Sequence, residues 1–308
     1  MFSLLIFIVI VFVCCGQNNL VAETIFNNVP NEVITLEGHS GEITSAVFSS
    51  DNKKIVTSSW DKTARIWDAA TGKELHKLEG HTSWVNSAVF SPDNKKIVTA
   101  SWDKTARIWD VATGKELQKL KGHTMCVNSA TFSPNGKTIL TVSLDNTART
   151  WDVATGKELH KLSGYSDSID SARFFPNGKI MVIISRDKEA WNKTIWQWDS
   201  SKGTGLRKLE EFTEPALKRS FSPDGVFFVT VNLDNTAQIH DTETREELQK
   251  LEGHTDAVQS ATFSPDGQKI VTSSWDKTAR IWNWQKIQQR LLHEEQAKNK
   301  ETKKVDNQ

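Results

Sequence analysis

A Gly-His pair recurs along this chain at Gly38-His39, Gly80-His81 and Gly122-His123, always at the same interval, and again at Gly253-His254. A further step of that size lands on Gly164-Tyr165, a degenerate copy; Glu211-Phe212 lies one such step before Gly253 and a slightly longer one after Gly164. Each start is answered near the end of its copy. Trp67-Asp68, Trp109-Asp110, Trp151-Asp152 and Trp282-Asn283 all follow their histidine at one constant spacing, while the fourth and fifth copies carry Trp198-Asp199 and His240-Asp241. Six copies at a near-constant period imply a repeat architecture. In such a chain each unit is one supersecondary element that buries its faces only against its neighbours.

The second copy shows what the unit is. Val85 to Phe90 has strand length, and Ser91-Pro92-Asp93-Asn94 follows as a turn in which proline presets φ. Lys96 to Ser101 is rich in β-formers, Asp103-Lys104 reverses the chain, Thr105 to Asp110 alternates, Thr113-Gly114 turns again, and Glu116 to Leu120 supplies a fourth strand. Each copy therefore predicts a four-stranded antiparallel unit. A period of this length with Gly-His near its start and Trp-Asp near its end resembles the WD40 repeat, over about residues 32 to 284. The resemblance implies an all-β fold, a β-propeller with one blade per copy.

The last copy supplies strands at Val258 to Phe263, Lys269 to Ser274 and Ala279 to Trp284, and then no readable fourth strand. Upstream of the first Gly-His, Asn31 to Glu37 matches the fourth-strand segment Gly114 to Lys121 in position and pattern. The N-terminal strand is thus expected to complete the last blade, giving a six-bladed ring without an exposed edge. A seventh blade supplied by a partner is the alternative.

Outside the repeats, Phe2 to Cys15 is an apolar run interrupted only by Ser3, with no charge before Glu23. Such a run is shorter than a membrane-crossing helix needs and fits the core of a secretory signal peptide. The expectation is a signal peptide or membrane anchor over residues 1–22 and an exported, periplasmic or secreted protein; lipidation of Cys14 or Cys15 competes with it. Cleavage leaves Cys126 as the sole cysteine and hence no internal disulfide. Residues 285–308 are rich in Gln, Glu and Lys and predict a polar tail, helical for a turn or two and otherwise disordered.

Composition narrows the function. Lys+Arg and Asp+Glu are equal at 38 each, so no net field draws the chain to nucleic acid or an anionic membrane. There is no phosphate loop, no paired-cysteine metal spacing and no HExxH, so neither a cofactor nor a metal is expected. In the resembled family the Gly-His histidine, the Asp of the second reversal, a Ser or Thr of the second strand and the Trp of the third form a hydrogen-bonded structural set. Carried over, the sets centre on His39, Asp61 and Trp67; His81, Asp103 and Trp109; His123, Asp145 and Trp151; and His254, Asp276 and Trp282. An active site has no reason to be copied round a ring, so these residues imply scaffold, and no catalytic residue is assigned. Tyr165 and Phe212 replace the histidine in copies four and five, and His240 the tryptophan in copy five, which marks those two as less regular.

Binding is sought where the copies differ. The position before the second-reversal Asp reads Trp60, Trp102, Leu144, Arg186, Leu233 and Trp275 round the ring. The three tryptophans fall on neighbouring blades six, one and two, with Trp84 beside them, and Trp and Arg are frequent binding anchors. A five-residue insertion in copy four, Glu189 to Lys193, adds Trp191 near Arg186 and carries the sequon Asn192-Lys193-Thr194. Competing explanations are that duplication spread the tryptophans and that the insertion is neutral. The resulting expectation is a monomeric, non-catalytic scaffold for protein partners; the alternative is small-ligand or glycan binding at the channel mouth.

Overall fold

The computed structural model describes residues 33–163, 168–174, 180–186, 193–199, 204–212 and 220–293, the side chains of most residues between 168 and 212 excepted. The leader at 1–22 and the insertion residue Trp191 lie outside the described residues. After β1 (Val33–Leu36) the chain forms a first sheet from β2 (Ile43–Phe48), β3 (Lys54–Ser59), β4 (Ala64–Asp68) and β5 (Glu74–Leu78). The second comprises β6 (Val85–Phe90), β7 (Lys96–Ser101), β8 (Thr105–Asp110) and β9 (Glu116–Lys121), and the third β10 (Val127–Phe132), β11 (Thr138–Ser143), β12 (Ala148–Asp152) and β13 (Glu158–Leu162). In the fourth lie β14 (Ser168–Phe174), β15 (Ile180–Arg186), β16 (Lys193–Asp199) and β17 (Thr204–Phe212); in the fifth β18 (Ser220–Phe221), β19 (Phe227–Val231), β20 (Ala237–Asp241) and β21 (Glu247–Leu251). The sixth holds β22 (Val258–Phe263), β23 (Lys269–Ser274) and β24 (Ala279–Asn283), with β1 as its fourth strand. Every pairing described is antiparallel, and β1 meets β24 with Val33 opposite Trp282 and Leu36 opposite Ala279.

The protein is therefore all-β, with several four-stranded antiparallel sheets of the kind a WD40 propeller contains. Its core lies between sheets, because a pleated sheet with two apolar faces must cover both. Val56, Ile66 and Leu78 of the first sheet pack on Val85, Ile97 and Trp109 of the second. Val98, Ile108 and Leu120 of the second meet Val127, Ile139 and Trp151 of the third, and Leu140, Val142 and Leu162 meet Ile169 and Ala172 of the fourth. Val271 and Ile281 of the sixth sheet, with Leu36 of β1, pack against Ile43, Ile55 and Trp67 of the first. Side chains of β2, β6 and β10 also bond across to the next sheet: Thr44 Oγ1 donates to Val85 O at 2.9 Å, Asn86 Nδ2 to Asn128 O at 2.9 Å and Asn128 Nδ2 to Ile169 O at 2.9 Å.

Two places differ from the periodic pattern. Glu211 and Phe212, the degenerate Gly-His copy, stand in β17 opposite Thr194 and Lys193, past a bulge, so the strand runs beyond its counterparts. Trp284 does not extend β24 but opens a helix, α1, at 284–293. Trp284 and Ile287 are buried and Leu291 packs beside them, an i, i+3, i+7 stripe laid on Val229 and Ile239 of the fifth sheet and Ile270 and Trp282 of the sixth. Among the described residues no helix is long and apolar enough to cross a membrane.

Candidate functional site: an aromatic row above a repeated hydrogen-bonded set

At the end of the molecule where each second strand turns into the third, one polar arrangement recurs. His39 Nδ1 donates to Asp61 Oδ2 at 2.7 Å, Thr57 Oγ1 donates to His39 Nε2 at 2.7 Å, and Trp67 Nε1 donates to Thr57 Oγ1 at 2.8 Å. The same bonds link Trp109, Thr99, His81 and Asp103 at 2.7–2.9 Å; Trp151, Thr141, His123 and Asp145 at 2.8–2.9 Å; and Trp282, Thr272, His254 and Asp276 at 2.7–3.0 Å. Every donor in the chain Trp to Thr to His to Asp points one way. That direction suits a neutral imidazole protonated at Nδ1.

Electrostatics agree with that protonation. Burial lowers the pKa of all four histidines, outweighing the opposite pull of their Asp partners. For the carboxyls, burial acts upward, but hydrogen bonds from the imidazole, the neighbouring Thr and the backbone prevail together, so Asp61, Asp103 and Asp276 sit below the usual range and Asp145 at about 2. Asp61 Oδ1 also accepts from Thr63 N at 3.0 Å and Oδ2 from Ser40 N at 3.2 Å. The carboxylate thereby ties the reversal at 60–63 to the loop that precedes β2.

Buried arginines extend this arrangement, and sequence reasoning did not identify them. Arg65 pairs with Glu74, Arg107 with Glu116 at 2.5 Å and Arg149 with Glu158 at 2.6 Å, while Arg107 Nη2 also stands 3.7 Å from Asp103. They account for the glycine of each Gly-His pair. Gly38 and Gly80 have φ of 153° and 156°, and a Cβ there would stand 2.6 and 2.5 Å from the guanidinium nitrogen of Arg65 and Arg107. The recurring Arg two residues before each Trp, with a Glu opening the fourth strand, is the pattern that carried this signal.

On top of this frame the tryptophans gather. Trp60 and Trp84 stack with centroids 4.2 Å apart and planes at 8°; Trp84 leans on Trp102 at 4.5 Å, and Trp60 faces Trp275 at 6.0 Å and 41°. Trp102 and Trp275 are 38% and 37% exposed, whereas Trp60 and Trp84 are half-buried because they cover one another. The row continues past Trp102 towards the third sheet, where Met125 is exposed and Cys126 holds the place of Trp84. Leu233, the corresponding residue of the fifth sheet, is fully exposed, and Arg186 ends β15. Beside β14, β18 and β22, a cavity of about 780 Å³ is lined by Arg173, Phe221, Asn232, Leu233, Gln259 and Ser260. Among the described residues, no three His, Cys, Asp or Glu side chains gather as metal ligands.

Comparison with known proteins places these features. One stretch is 43% identical over 53 residues to the target of rapamycin complex subunit LST8 of Saccharomyces cerevisiae, covering 17% of this chain and 18% of that protein. Another is 47% identical over 38 residues to the vegetative incompatibility protein HET-E-1 of Podospora anserina, covering 12% of this chain and 3% of that protein. The WD40 family (WD domain, G-beta repeat) matches at residues 30–68, 72–110, 114–152 and 245–283, leaving the stretch of the irregular fourth and fifth copies unmatched. With half of its length in those repeats and the Trp-Thr-His-Asp set in each matched copy, the chain belongs to the WD40-repeat family.

Proposed function

We propose that this protein is a six-bladed propeller, closed by β1, that acts as a non-catalytic, monomeric scaffold and binds protein partners through the row of Trp60, Trp84, Trp102 and Trp275. WD40 repeats point to a protein-interaction scaffold, and the relative LST8 is by its name a subunit of a complex. The observation that carries the choice of face is the contiguous row of four rings on one end of the molecule. Scattered apolar residues are ordinary on a surface, whereas contiguous aromatic patches mark interaction sites. Six four-stranded sheets, the pairing of β1 with β24 and the packing of the sixth sheet on the first support the closed ring. The uncharged apolar run from Phe2 to Cys15 supports export. Arg186 and Trp191 are proposed to flank the face from the fourth blade.

The test is capture of partners by the wild-type chain and by a Trp60→Ala, Trp102→Ala, Trp275→Ala variant that retains its circular dichroism spectrum. Loss of a specific partner from the variant is the expected result; unchanged capture removes the row from the account. The cavity of about 780 Å³ favours a second reading, a small ligand or sugar held beside Asn232 and Gln259. A glycan and metabolite screen by thermal shift, with Gln259→Ala as control, separates the two.

A further inference from the structure

Four residues hold equivalent places just before the first strand of their sheets, each accepting through its carbonyl the N–H of the residue that follows the second strand. Trp60 N donates to Glu42 O at 2.9 Å, Trp102 N to Trp84 O at 2.9 Å, Leu144 N to Cys126 O at 3.0 Å and Trp275 N to Ala257 O at 3.0 Å. Trp84 fills its place by stacking on Trp60 on one side and leaning on Trp102 on the other. Glu42 has the corresponding place one blade earlier, in register with the gap where Trp60 and Trp275 are splayed 6.0 Å apart at 41°. An acid thus stands in the place that Trp84 fills one blade on and that Cys126 and Ala257 hold in the third and sixth blades.

That acid is not satisfied. Glu42 is half-buried, and its Oε2 is shut off from solvent with no hydrogen-bond partner among the described residues. Nor does any lysine or arginine among them form an ion pair with it. A carboxylate oxygen withdrawn from water without a donor is costly, and since Glu42 is only half-buried a turn of its side chain would bring that oxygen out to a donor supplied by a ligand. The flanking indole faces attract positive charge, so both features ask for the same group, a cation bearing N–H donors. Lys62, Lys104 and Lys277 are exposed at the apices of the neighbouring reversals and repel a densely basic segment, which leaves room for an isolated cation.

Resting on the reading of the tryptophan row as the partner face, we propose that its occupant is a single arginine or lysine side chain of a partner protein, seated between Trp60 and Trp275 against the Glu42 carboxylate and flanked by neutral or acidic residues.

Dye-labelled synthetic peptides with a central Arg, Lys, Gln or Glu in a Gly-Asp context, titrated into the full chain by fluorescence anisotropy, test this. The Arg and Lys peptides are expected to bind about tenfold tighter than the Gln and Glu peptides. Glu42→Gln, with an unchanged melting temperature, should abolish that preference, and Glu42→Asp should keep part of it. Equal binding of all four peptides by the wild type overturns the proposal, as does a preference that survives Glu42→Gln. If equal binding is nevertheless lost in the triple tryptophan variant, the partner face stands and only its charge preference falls. If no binding responds to the tryptophans, both fall.

Discussion

His39 Nδ1 lies 2.7 Å from Asp61 Oδ2, across 22 residues of chain, and this one bond joins the loop before β2 to the reversal that carries Trp60. Thr57 is its least replaceable support, because its hydroxyl both accepts from Trp67 and donates to His39. Thr57→Val keeps the shape and leaves two buried polar groups unpaired. Urea denaturation should show a loss of about 1–3 kcal/mol, while Thr82→Val, at an exposed position, should change stability by less than about 0.5 kcal/mol.

Acid should unfold the protein in two stages. The buried histidines titrate lower in the folded chain than their ordinary 6.5, so the unfolded chain binds more protons once pH drops below that value. Stability is therefore fully present above pH 6.5 and declines as pH falls towards the folded values. Their carboxylate partners titrate below the ordinary 3.8, which adds a second decline under about pH 4. Urea midpoints measured from pH 8 to pH 3 check this; a midpoint that rises on acidification contradicts the protonation assigned to the set.

Leu36 tests β1. It is fully buried opposite Ala279 and packs with Ile43 and Trp67. Leu36→Ala should cost about 2–5 kcal/mol in chemical denaturation. A cost below about 0.5 kcal/mol is what an unpaired, solvent-exposed strand would show.

Helix α1 should be part of the folded unit. Trp284 is 2% exposed and meets Phe227 edge-on at 5.3 Å. Trp284→Ala is predicted to cost about 3–5 kcal/mol, with Leu292→Ala, on the exposed side, near neutral; equal, small effects would detach the helix from the sheets.

Much of this was legible in the residues. Strand identity followed from turn chemistry at Ser91-Pro92-Asp93-Asn94 and from the constant spacing of the Gly-His pairs, because a repeat shows the same signal several times over. The side chains of the hydrogen-bonded set were identified through resemblance, though not which Ser or Thr of the second strand takes part. Thr57 is singled out only by the strand's register, which sets its hydroxyl between Trp67 and His39. Helix α1 reads only as a turn or two of helix in a tail of Gln, Glu and Lys; the spacing of Trp284, Ile287 and Leu291 held the missing information, and part of what it covers, Val229 and Ile239 of the fifth sheet, is remote in sequence. The arginine pairs escaped notice because a charged residue in a strand reads as solvent-facing until its partner is known. Stacking had the same effect at Trp60, which sequence places on the surface and Trp84 half covers.

The most direct measurement is a hydrogen-exchange footprint of the protein bound to a partner recovered by capture. Protection is predicted on the reversals at 60–62, 102–104 and 275–277 and on the loop at 82–84, with the opposite-end turns at 92–94 and 265–267 unchanged. Protection confined to those opposite turns or to the edge strands β5 and β9 would contradict the assignment of the tryptophan face as the binding surface.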